Sequence, residues 1–160
     1  PVYVILGATG GIGSELSRQL AAKGAHLMLG AQDKEKLENL VRELGGNHIS
    51  LDATRTQEVE SCVQETVETY GRIDGIANCV GSVMLKPAHL TSDDEWASTL
   101  AVNLTSAFAT VKAAARAMRR EGGSVVLTSS AAARVGIANH EAIAAAKGGI
   151  IGLVLSAGAT

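Results

Sequence analysis

Short apolar runs alternate with helical patterns along the whole chain of 160 residues. Each run, rich in Val, Ile, Leu or Ala, is followed by a stretch whose apolar residues recur at helical spacing. The runs predict strands at Val2–Leu6, Ala25–Leu29, His48–Leu51, Ile73–Ala77 and Ser124–Thr128. The helical patterns cover Ile12–Lys23, Lys34–Leu44, Thr56–Tyr70, a short helix from Ser92, about Thr99–Arg119, and about His140 to the end.

This alternation, with short connections, predicts an α/β fold, a three-layer, doubly wound parallel sheet covered by helices on both faces. Right-handed crossovers then give the strand order 3-2-1-4-5 in a single domain. A ligand crevice is expected at the carboxyl ends of strands 1 and 4, where the strand order reverses. At the helix starts, Asp33 is predicted to be an N-cap, and Ser92 with Glu95 fits a capping box.

Glycines crowd the turn after the first strand, in the sequence V-Y-V-I-L-G-A-T-G-G-I-G from Val2 to Gly13. Glycine permits positive φ and lets the backbone approach a diphosphate closely, and the following helix start offers unpaired N–H groups. The turn therefore predicts a phosphate cradle. An ordinary strand–helix turn that binds nothing is the alternative for such a motif.

Composition and charge exclude several classes of function. The net charge is −2, there is no basic run, and only four residues are aromatic, so no nucleic-acid partner is expected. Cys62 and Cys79 are isolated thiols that build neither a disulfide framework nor a metal site, which favours a reducing, cytoplasmic location. No secretory signal is recognised. Ala142–Thr160 is apolar enough to suggest a membrane span, but Lys147 lies inside it, so no membrane partner is predicted.

The spacing of Gly7, Gly11 and Gly13, Gly-x-x-x-Gly-x-Gly, resembles that of the short-chain dehydrogenase/reductase family. Later segments resemble the family at matching positions: Asp52 after the third strand, Asp74 in the lead-in to the fourth, the stretch Asn78-Cys79-Val80-Gly81, Asn103, Ser130 and Lys147. The resemblance extends from Val2 to the end of the chain. It implies that residues 1–160 form a dinucleotide-binding Rossmann domain, cut short before the sixth and seventh strands of the family.

The resemblance implies hydride transfer between a nicotinamide, NAD(P), and a small-molecule carbonyl or alcohol substrate. The implied cofactor-binding residues are Gly7, Thr9, Gly10, Gly11, Ile12, Gly13, Ala31, Gln32, Asp52, Ala53, Asn78, Val80, Gly81 and Lys147. The implied catalytic residues are Ser130, which would orient the substrate, and Asn103 and Lys147, which would maintain a water relay to it.

One departure from the family concerns its proton donor, a tyrosine in Tyr-x-x-x-Lys placed thirteen residues after the serine. Here that position is Ile143, while Lys147 stands four residues further on, as in the family. An isoleucine cannot donate a proton, and general acid catalysis is worth about 10²–10⁴-fold. Neither Tyr3 nor Tyr70 is placed to substitute, and His140 is either a replacement acid or a surface histidine at a helix start.

A second departure lies at the end of the second strand, where an acidic residue would select NAD and an arginine NADP. Ala31 and Gln32 occupy these positions, and Asp33 could still reach a ribose. Without a fixed carboxylate there, the sequence leans slightly to NADP. The family's usual threonine before the first glycine is Leu6 here, which weakens local hydrogen bonding but not the glycine geometry.

Members of the family are considerably longer, and the part absent here would cover the substrate. The helices near 99–119 and 140–158 carry many small residues, so they are expected to pack closely, either on the sheet or against another subunit in a homo-oligomer. Two functions stay open: an NAD(P)(H)-dependent oxidoreductase, favoured by Ser130, Asn103 and Lys147, and a catalytically silent dinucleotide-binding sensor or scaffold, favoured by Ile143.

Overall fold

A computed structural model describes all 160 residues and contains one five-stranded parallel sheet flanked by helices. The strands are β1 (Val2–Leu6), β2 (His26–Ala31), β3 (Asn47–Ser50), β4 (Gly75–Asn78) and β5 (Ser124–Leu127). The helices are α1 (Gly11–Ala22), α2 (Lys34–Leu44), α3 (Thr56–Tyr70), α4 (Asp93–Leu100), α5 (Ser106–Ala117) and α6 (Glu141–Ala157). The order across the sheet is β3-β2-β1-β4-β5, which confirms the predicted doubly wound topology.

The central strand, β1, is buried on both faces because helices cover the sheet on both sides. Val4 and Leu6 point to one face and belong to a core of 14 buried residues shared with α3 and α5. Ile5, between them in sequence, points to the other face and packs with Leu37 of α2 in a second core of 7 buried residues. This alternation is the period-two side-chain pattern of a strand, and it explains the continuous apolar run in the sequence.

Two strand boundaries differ from the predictions by two residues, for physical reasons, and the other boundaries agree within one residue. β2 continues to Ala31, beyond the predicted Leu29, because the Gly30 carbonyl accepts from the N–H groups of Gly7 and Ala8. β4 begins at Gly75 rather than at Ile73. Just before it, the Asp74 carboxylate accepts from the Val2 N–H at 2.8 Å, so the chain enters the ladder only after this anchor.

The helical segment after residue 92 is continuous, which corrects the prediction of a short helix followed by a separate helix at Thr99–Arg119. α4 leads into a π-helical turn, Ala101–Thr105, and then directly into α5. No Gly or Pro lies between Asp93 and Ala117 to break it. The π turn, which adds one residue to a helical turn, was not predicted and lies around Asn103.

Both predicted helix caps are confirmed. The Asp33 side chain accepts from the Lys36 N–H at 3.0 Å at the start of α2. Ser92 and Glu95 form the reciprocal pair of a capping box at the start of α4. These caps fix where the connections after β2 and β4 end and the helices begin.

β5 forms one of the two edges of the sheet and pairs only with β4. Val126 in this strand is 61% exposed. No helix combines the length and the apolar character that crossing a bilayer requires.

Candidate active site

A cavity of about 290 Å³ lies at the carboxyl ends of the strands, where the chain leaves β1 towards β2 and returns from β3 to β4. Its lining comes from residues at or after the ends of β1, β2, β3 and β4, together with one residue of the π turn: Gly7, Thr9, Gly10, Ala31, Gln32, Asp33, Leu51, Asp52, Ala53, Thr54, Cys79, Val80, Gly81 and Val102. Nine of the predicted cofactor-binding residues therefore meet around one space. This is the crevice position expected for a doubly wound sheet.

Gly7 begins the turn in a left-handed conformation, with φ 74°. Its N–H donates to the Gly30 carbonyl at 2.8 Å, which ties the end of β1 to β2. A Cβ atom on Gly7 would stand 2.8 Å from the Val80 nitrogen, so a side chain has no room between β1 and β4. The turn therefore requires glycine at this position both for its conformation and for its packing.

Helix α1 opens directly onto this turn. Gly10 is its N-cap and provides no side chain to bond the first N–H groups, which have no partner within the helix. A Cβ on Gly13 would collide with the Gly7 carbonyl, whereas a Cβ on Gly11 meets nothing within 4 Å. Gly13 thus seats the helix on the turn, and Gly11 faces open space. Ile12 is exposed and does not line the cavity.

Asp52 lies after β3 with its carboxylate held by the next turn. Its Oδ1 accepts from the Thr54 hydroxyl at 2.7 Å and from the Thr54 backbone N–H at 2.9 Å. These hydrogen bonds hold the pKa of Asp52 below its ordinary value, so the carboxylate is charged at neutral pH. A fixed acceptor at this corner can bind the amino group of a heterocyclic base.

The end of β2 presents Ala31 and Gln32 to the cavity, followed by Asp33. Asp33 also lines the space, but its Oδ2 lies 2.9 Å from the Lys36 ammonium and its Oδ1 caps α2. The negative charge of Asp33 is therefore partly balanced by a cation on its own helix.

Asn78 is buried at the end of β4 and does not line the cavity. Its Nδ2 donates to the Thr110 hydroxyl of α5 at 2.9 Å, and its Oδ1 accepts from the Val80 N–H at 2.8 Å. Asn78 thus shapes the chain that carries Val80 and Gly81 into the cavity wall.

Lys147 joins α6 to the ends of β4 and β5. Its Nζ donates to the Thr128 carbonyl at 2.9 Å and lies 3.5 Å from the position that a Cβ of Gly81 would occupy. The Ser129 hydroxyl donates in return to the Lys147 carbonyl at 2.8 Å. Only 7% of Lys147 is exposed, and burial lowers the pKa of this lysine. Ser130 follows at the surface, and its hydroxyl oxygen accepts from the Ala132 N–H at 3.2 Å.

Asn103 lies in the π turn, and it is 1% exposed. Its Oδ1 accepts from the Ser82 N–H at 3.2 Å, and its Nδ2 donates to the Ser82 hydroxyl and to the Thr99 carbonyl, each at 3.0 Å. These bonds fasten the helix to the chain just after Gly81. A π turn changes the backbone carbonyl pairing of a helix, and such turns are frequent at functional sites.

Position 143 carries no proton donor, since Ile143 is buried with 5% exposure on α6. The Tyr70 hydroxyl donates to the Leu27 carbonyl near the amino-terminal end of β2, which lies at the opposite edge of the sheet. Tyr3, in β1, pairs with Gly75 at the start of β4, away from the strand ends. His140 is the N-cap of α6, and its Nδ1 lies 2.7 Å from the Ala138 carbonyl.

Five residues that line the cavity were not among the predicted cofactor-binding residues: Asp33, Leu51, Thr54, Cys79 and Val102. Thr54 could have been found from the sequence, because an Asp two residues before a Thr is a common local hydrogen-bonding pattern. Cys79 stands inside the stretch already singled out, and burial raises its pKa, so its thiol is protonated at neutral pH. Val102 reaches the cavity through the unpredicted π turn.

A wider groove of about 860 Å³ separates α3 from α5. Side chains on the surfaces of these helices line it, including Glu60, Glu65 and Arg116. None of the predicted site residues lies there, so its size does not make it the candidate site.

Comparisons with known proteins agree with this geometry. The family model described as short chain dehydrogenase matches residues 1–159. The chain is 34% identical to short-chain dehydrogenase/reductase aba4 of Botryotinia fuckeliana (98% of this chain, 64% of the relative). It is 32% identical to D-threitol dehydrogenase of Mycolicibacterium smegmatis (95% of this chain, 61% of the relative).

Solved structures show the same fold. A variant of the actinorhodin polyketide ketoreductase, crystallised with NADPH, superposes with a TM-score of 0.93 and 27% identity over 99% of this chain and 64% of that one. An alcohol dehydrogenase from the archaeon Thermococcus sibiricus, complexed with 5-hydroxy-NADP, gives a TM-score of 0.89 and 30% identity over 97% and 68% of the two chains.

The chain thus spans 61% to 64% of the length of these two curated relatives. The family match nevertheless runs over residues 1–159, and the strand order and the glycine turn agree with it. On this evidence, the chain belongs to the short-chain dehydrogenase/reductase family.

Proposed function

We propose that the protein is an NAD(P)(H)-dependent oxidoreductase that transfers a hydride between a nicotinamide and a carbonyl or alcohol. The observation that carries the proposal is the Lys147 ammonium, fixed on the Thr128 carbonyl and beside Gly81 at the edge of a glycine-walled cavity. A dehydrogenase and a ketoreductase among the similar proteins support the same class of reaction. The identity of the carbonyl substrate depends on the whole protein.

The residues present fit a dinucleotide. Gly11 leaves open space at the start of α1, where unpaired N–H groups and the helix dipole attract a pyrophosphate. Asp52 would accept from the adenine amino group, and Ala31 and Gln32 would lie beside the adenosine ribose. Val80, Gly81 and Lys147 would lie along the nicotinamide half. Thr9, Gly10, Ile12, Gly13, Ala53 and Asn78 would shape this cradle around them.

When bound, a reduced nicotinamide supplies a hydride to a carbonyl carbon. The chain must hold the carbonyl oxygen and deliver a proton to it. Ser130 would donate a hydrogen bond to that oxygen, since its hydroxyl is exposed at the end of β5. Asn103 would hold a water molecule of the proton relay at the π turn. Lys147 would bind the ribose and pass protons from that water molecule.

Ile143 supports a second candidate function, a dinucleotide-binding protein without catalysis that acts as a sensor or scaffold. This function would keep the cradle but would not need Ser130. The two candidates differ in whether the protein turns over a carbonyl when NADPH is bound.

The test is NADPH oxidation by the full-length protein over a panel of aldehydes and ketones, with the variant Ile143→Tyr beside it. Turnover by the unmodified protein supports the oxidoreductase. If only the tyrosine variant is active, while both proteins bind NADPH equally well, the native protein is a binder. Failure of both to bind NADPH or NADH contradicts both candidates.

We further propose that the protein is cytoplasmic and homo-oligomeric. Both cysteines are free thiols, which fits a reducing compartment. Phe108 on α5 and Val154 and Leu155 on α6 are exposed apolar side chains on the two small-residue helices. Sedimentation of the full-length protein and of Phe108→Asp tests the contact, which the charged variant is expected to weaken.

A further inference from the structure

A cavity of about 350 Å³ lies at the opposite edge of the sheet from the glycine turn. It forms where α3 and α5 end and where the chain enters β4 and β5. Four of the chain's 14 basic residues line this cavity, although the net charge of the chain is −2. They are Arg72, Arg116, Arg119 and Arg120, and one acidic residue, Glu121, lies among them. The fold therefore brings four guanidinium groups from two segments to one concave space.

Two of these arginines are held in place by carboxylates of the chain. Arg72 donates to the Asp74 carboxylate through Nε, at 3.3 Å, and through one terminal nitrogen. Arg116 donates to Oε1 of Glu60 at 3.1 Å. Because a guanidinium carries five N–H bonds, both side chains are fixed in position and still keep several donors for a further partner.

The other two arginines have no partner in the chain. No carboxylate lies within 4.0 Å of Arg119 or Arg120. Neither side chain forms a hydrogen bond with a helix end or with any other group. The charge of Glu121 acts on Arg72 instead: Asp74 first, and Glu121 to a smaller extent, raise the pKa of Arg72. Two guanidinium groups at this cavity are thus free to bind an anion.

We propose that this cavity binds a small soluble anion that carries at least two negative charges, such as a phosphate monoester or a diphosphate. The planar guanidinium fork matches the oxygens of a phosphate group and bonds them in pairs. Four like charges around one space repel each other, and a dianion between them replaces this repulsion with attraction. The volume of the cavity also falls within the range of small-molecule sites, which begins at about 300 Å³.

The lining favours a small anion over a macromolecule. No aromatic side chain lines the cavity to stack on a nucleic-acid base, and the net negative charge of the chain does not attract a polyanion from a distance. An acidic partner protein would also need apolar anchors beside the charges. None of the large apolar side chains that are exposed on this chain lines the cavity.

The arginine cavity is separate from the cavity at the glycine turn. The two have no lining residue in common. They lie at opposite ends of β4, whose four residues span about 13 Å. An anion bound among the arginines would therefore not compete with a dinucleotide, and binding at the two places can be measured separately.

Isothermal titration calorimetry of the full-length protein with inorganic pyrophosphate tests this site. NADPH is kept in excess so that the glycine turn is occupied, and the ionic strength is fixed because salt screens the attraction. We expect one pyrophosphate to bind per chain. Arg119→Gln and Arg120→Gln should each weaken its binding by about tenfold, because each removes a charge-assisted hydrogen bond. Glu121→Gln should tighten binding, because it removes the negative charge from the lining.

Arg42→Gln is the matched control, since Arg42 is an exposed arginine on α2 that pairs with no carboxylate and lies outside the cavity. Its affinity for pyrophosphate should equal that of the unmodified protein. Gly11→Ala identifies pyrophosphate that binds at the glycine turn, since only that binding responds to the added methyl group. The comparison of the arginine variants therefore holds even if the protein binds no NADPH, which would contradict the proposed function alone.

The proposal is overturned if pyrophosphate does not bind, if the two cavity variants bind it as tightly as the unmodified protein, or if Arg42→Gln weakens binding to the same extent. Tighter binding of a hexaglutamate peptide than of pyrophosphate, lost in Arg119→Gln, would assign the cavity to an acidic partner protein and also overturn the small anion. A gain of affinity in Glu121→Gln cannot come from unfolding, so it supports the site even if an arginine variant is unstable.

Discussion

At the scale of single residues, two glycines of the turn after β1 have different roles: Gly13 is needed for packing, and Gly11 leaves space for a ligand. A Cβ on Gly13 would overlap the Gly7 backbone, whereas a Cβ on Gly11 has free space. We expect Gly13→Ala to lower the free energy of unfolding by about 1–3 kcal/mol, because the turn must shift to accept the methyl group. We expect Gly11→Ala to fold normally and to bind NADPH about tenfold more weakly, because its methyl group intrudes where a pyrophosphate would lie.

Denaturant unfolding and NADPH fluorescence titration of the two variants measure these effects. Each variant is the control for the other, since both add one methyl group to the same turn. The interpretation of the cradle fails if Gly11→Ala binds NADPH as tightly as the unmodified protein.

Lys147 should also leave a signature in the pH dependence of stability. Burial lowers its pKa in the folded protein below the ordinary lysine value of 10.5, so the unfolded chain binds more protons between the two pKa values. The folded state therefore gains stability as pH rises through that window, and below it the cost of the buried charge is full and constant. Relative to Lys147→Met, the unmodified protein should become more stable as pH rises towards about 10.5.

Thermal unfolding of both proteins between pH 7 and about pH 10.5 checks this difference. Lys23→Met, which removes an exposed ammonium at the end of α1, reports what the loss of one surface charge does over the same range. A constant difference between the unmodified protein and Lys147→Met would contradict an energetic cost of burying the charge.

At the scale of elements, the capping box sets the start of the helical segment that carries Asn103. The Ser92 hydroxyl accepts from the Glu95 N–H at 3.2 Å, and Glu95 also pairs with Lys86 in the preceding loop. We expect Ser92→Ala to lower the free energy of unfolding by about 1 kcal/mol, because one first-turn N–H loses its partner. Chemical denaturation measures it, with Ser98→Ala, on the exposed side of the same helix, as the control. Equal stabilities of the two variants would contradict the cap.

Sequence patterns predicted a helix or strand correctly where interactions between residues close in sequence determine it. Thr56–Tyr70 is helical as predicted, because its apolar spacing and the glycine at its end both act within a few residues. The π turn was missed because it shifts the helix by one residue, and the sequence A-V-N-L-T contains no Gly or Pro to mark it. Its formation depends on the tertiary hydrogen bonds of Asn103 with Ser82, which no local pattern contains.

The candidate site was likewise predictable where its residues follow strand ends, and not where their orientation depends on distant segments. Residues that follow strand ends, such as Gly7, Asp52 and Gly81, were predicted and line the cavity, because parallel strands bring their carboxyl ends to one edge. The inward direction of Asn78 and the unpaired burial of Lys147 were not predicted. Both depend on what packs against these side chains from distant segments, namely Thr110 and Thr128.

At the scale of the whole molecule, the choice between NAD and NADP depends on the charged groups that the ends of neighbouring strands place at one corner of the cavity. Ala31 and Gln32 place no charge at the end of β2, and the Asp33 carboxylate is 2.9 Å from the Lys36 ammonium. A free carboxylate would repel the 2′-phosphate of NADP, whereas a paired one repels it less. We expect the protein to bind NADPH at least as tightly as NADH, and Ala31→Asp to weaken NADPH binding by about tenfold or more while leaving NADH binding unchanged or tighter.

Fluorescence titration of both cofactors, at fixed ionic strength because salt screens the repulsion, measures the two preferences. Asp33→Asn is the matched variant, since it removes the remaining carboxylate at the same corner. If Asp33 only caps α2, this variant keeps its NADH affinity, and its stability changes little because the asparagine side-chain oxygen can cap the helix as well. If Asp33→Asn loses NADH affinity instead, Asp33 binds the ribose. That contact would also explain a preference of the unmodified protein for NADH of tenfold or more. Such a preference would overturn the expected choice of NADP.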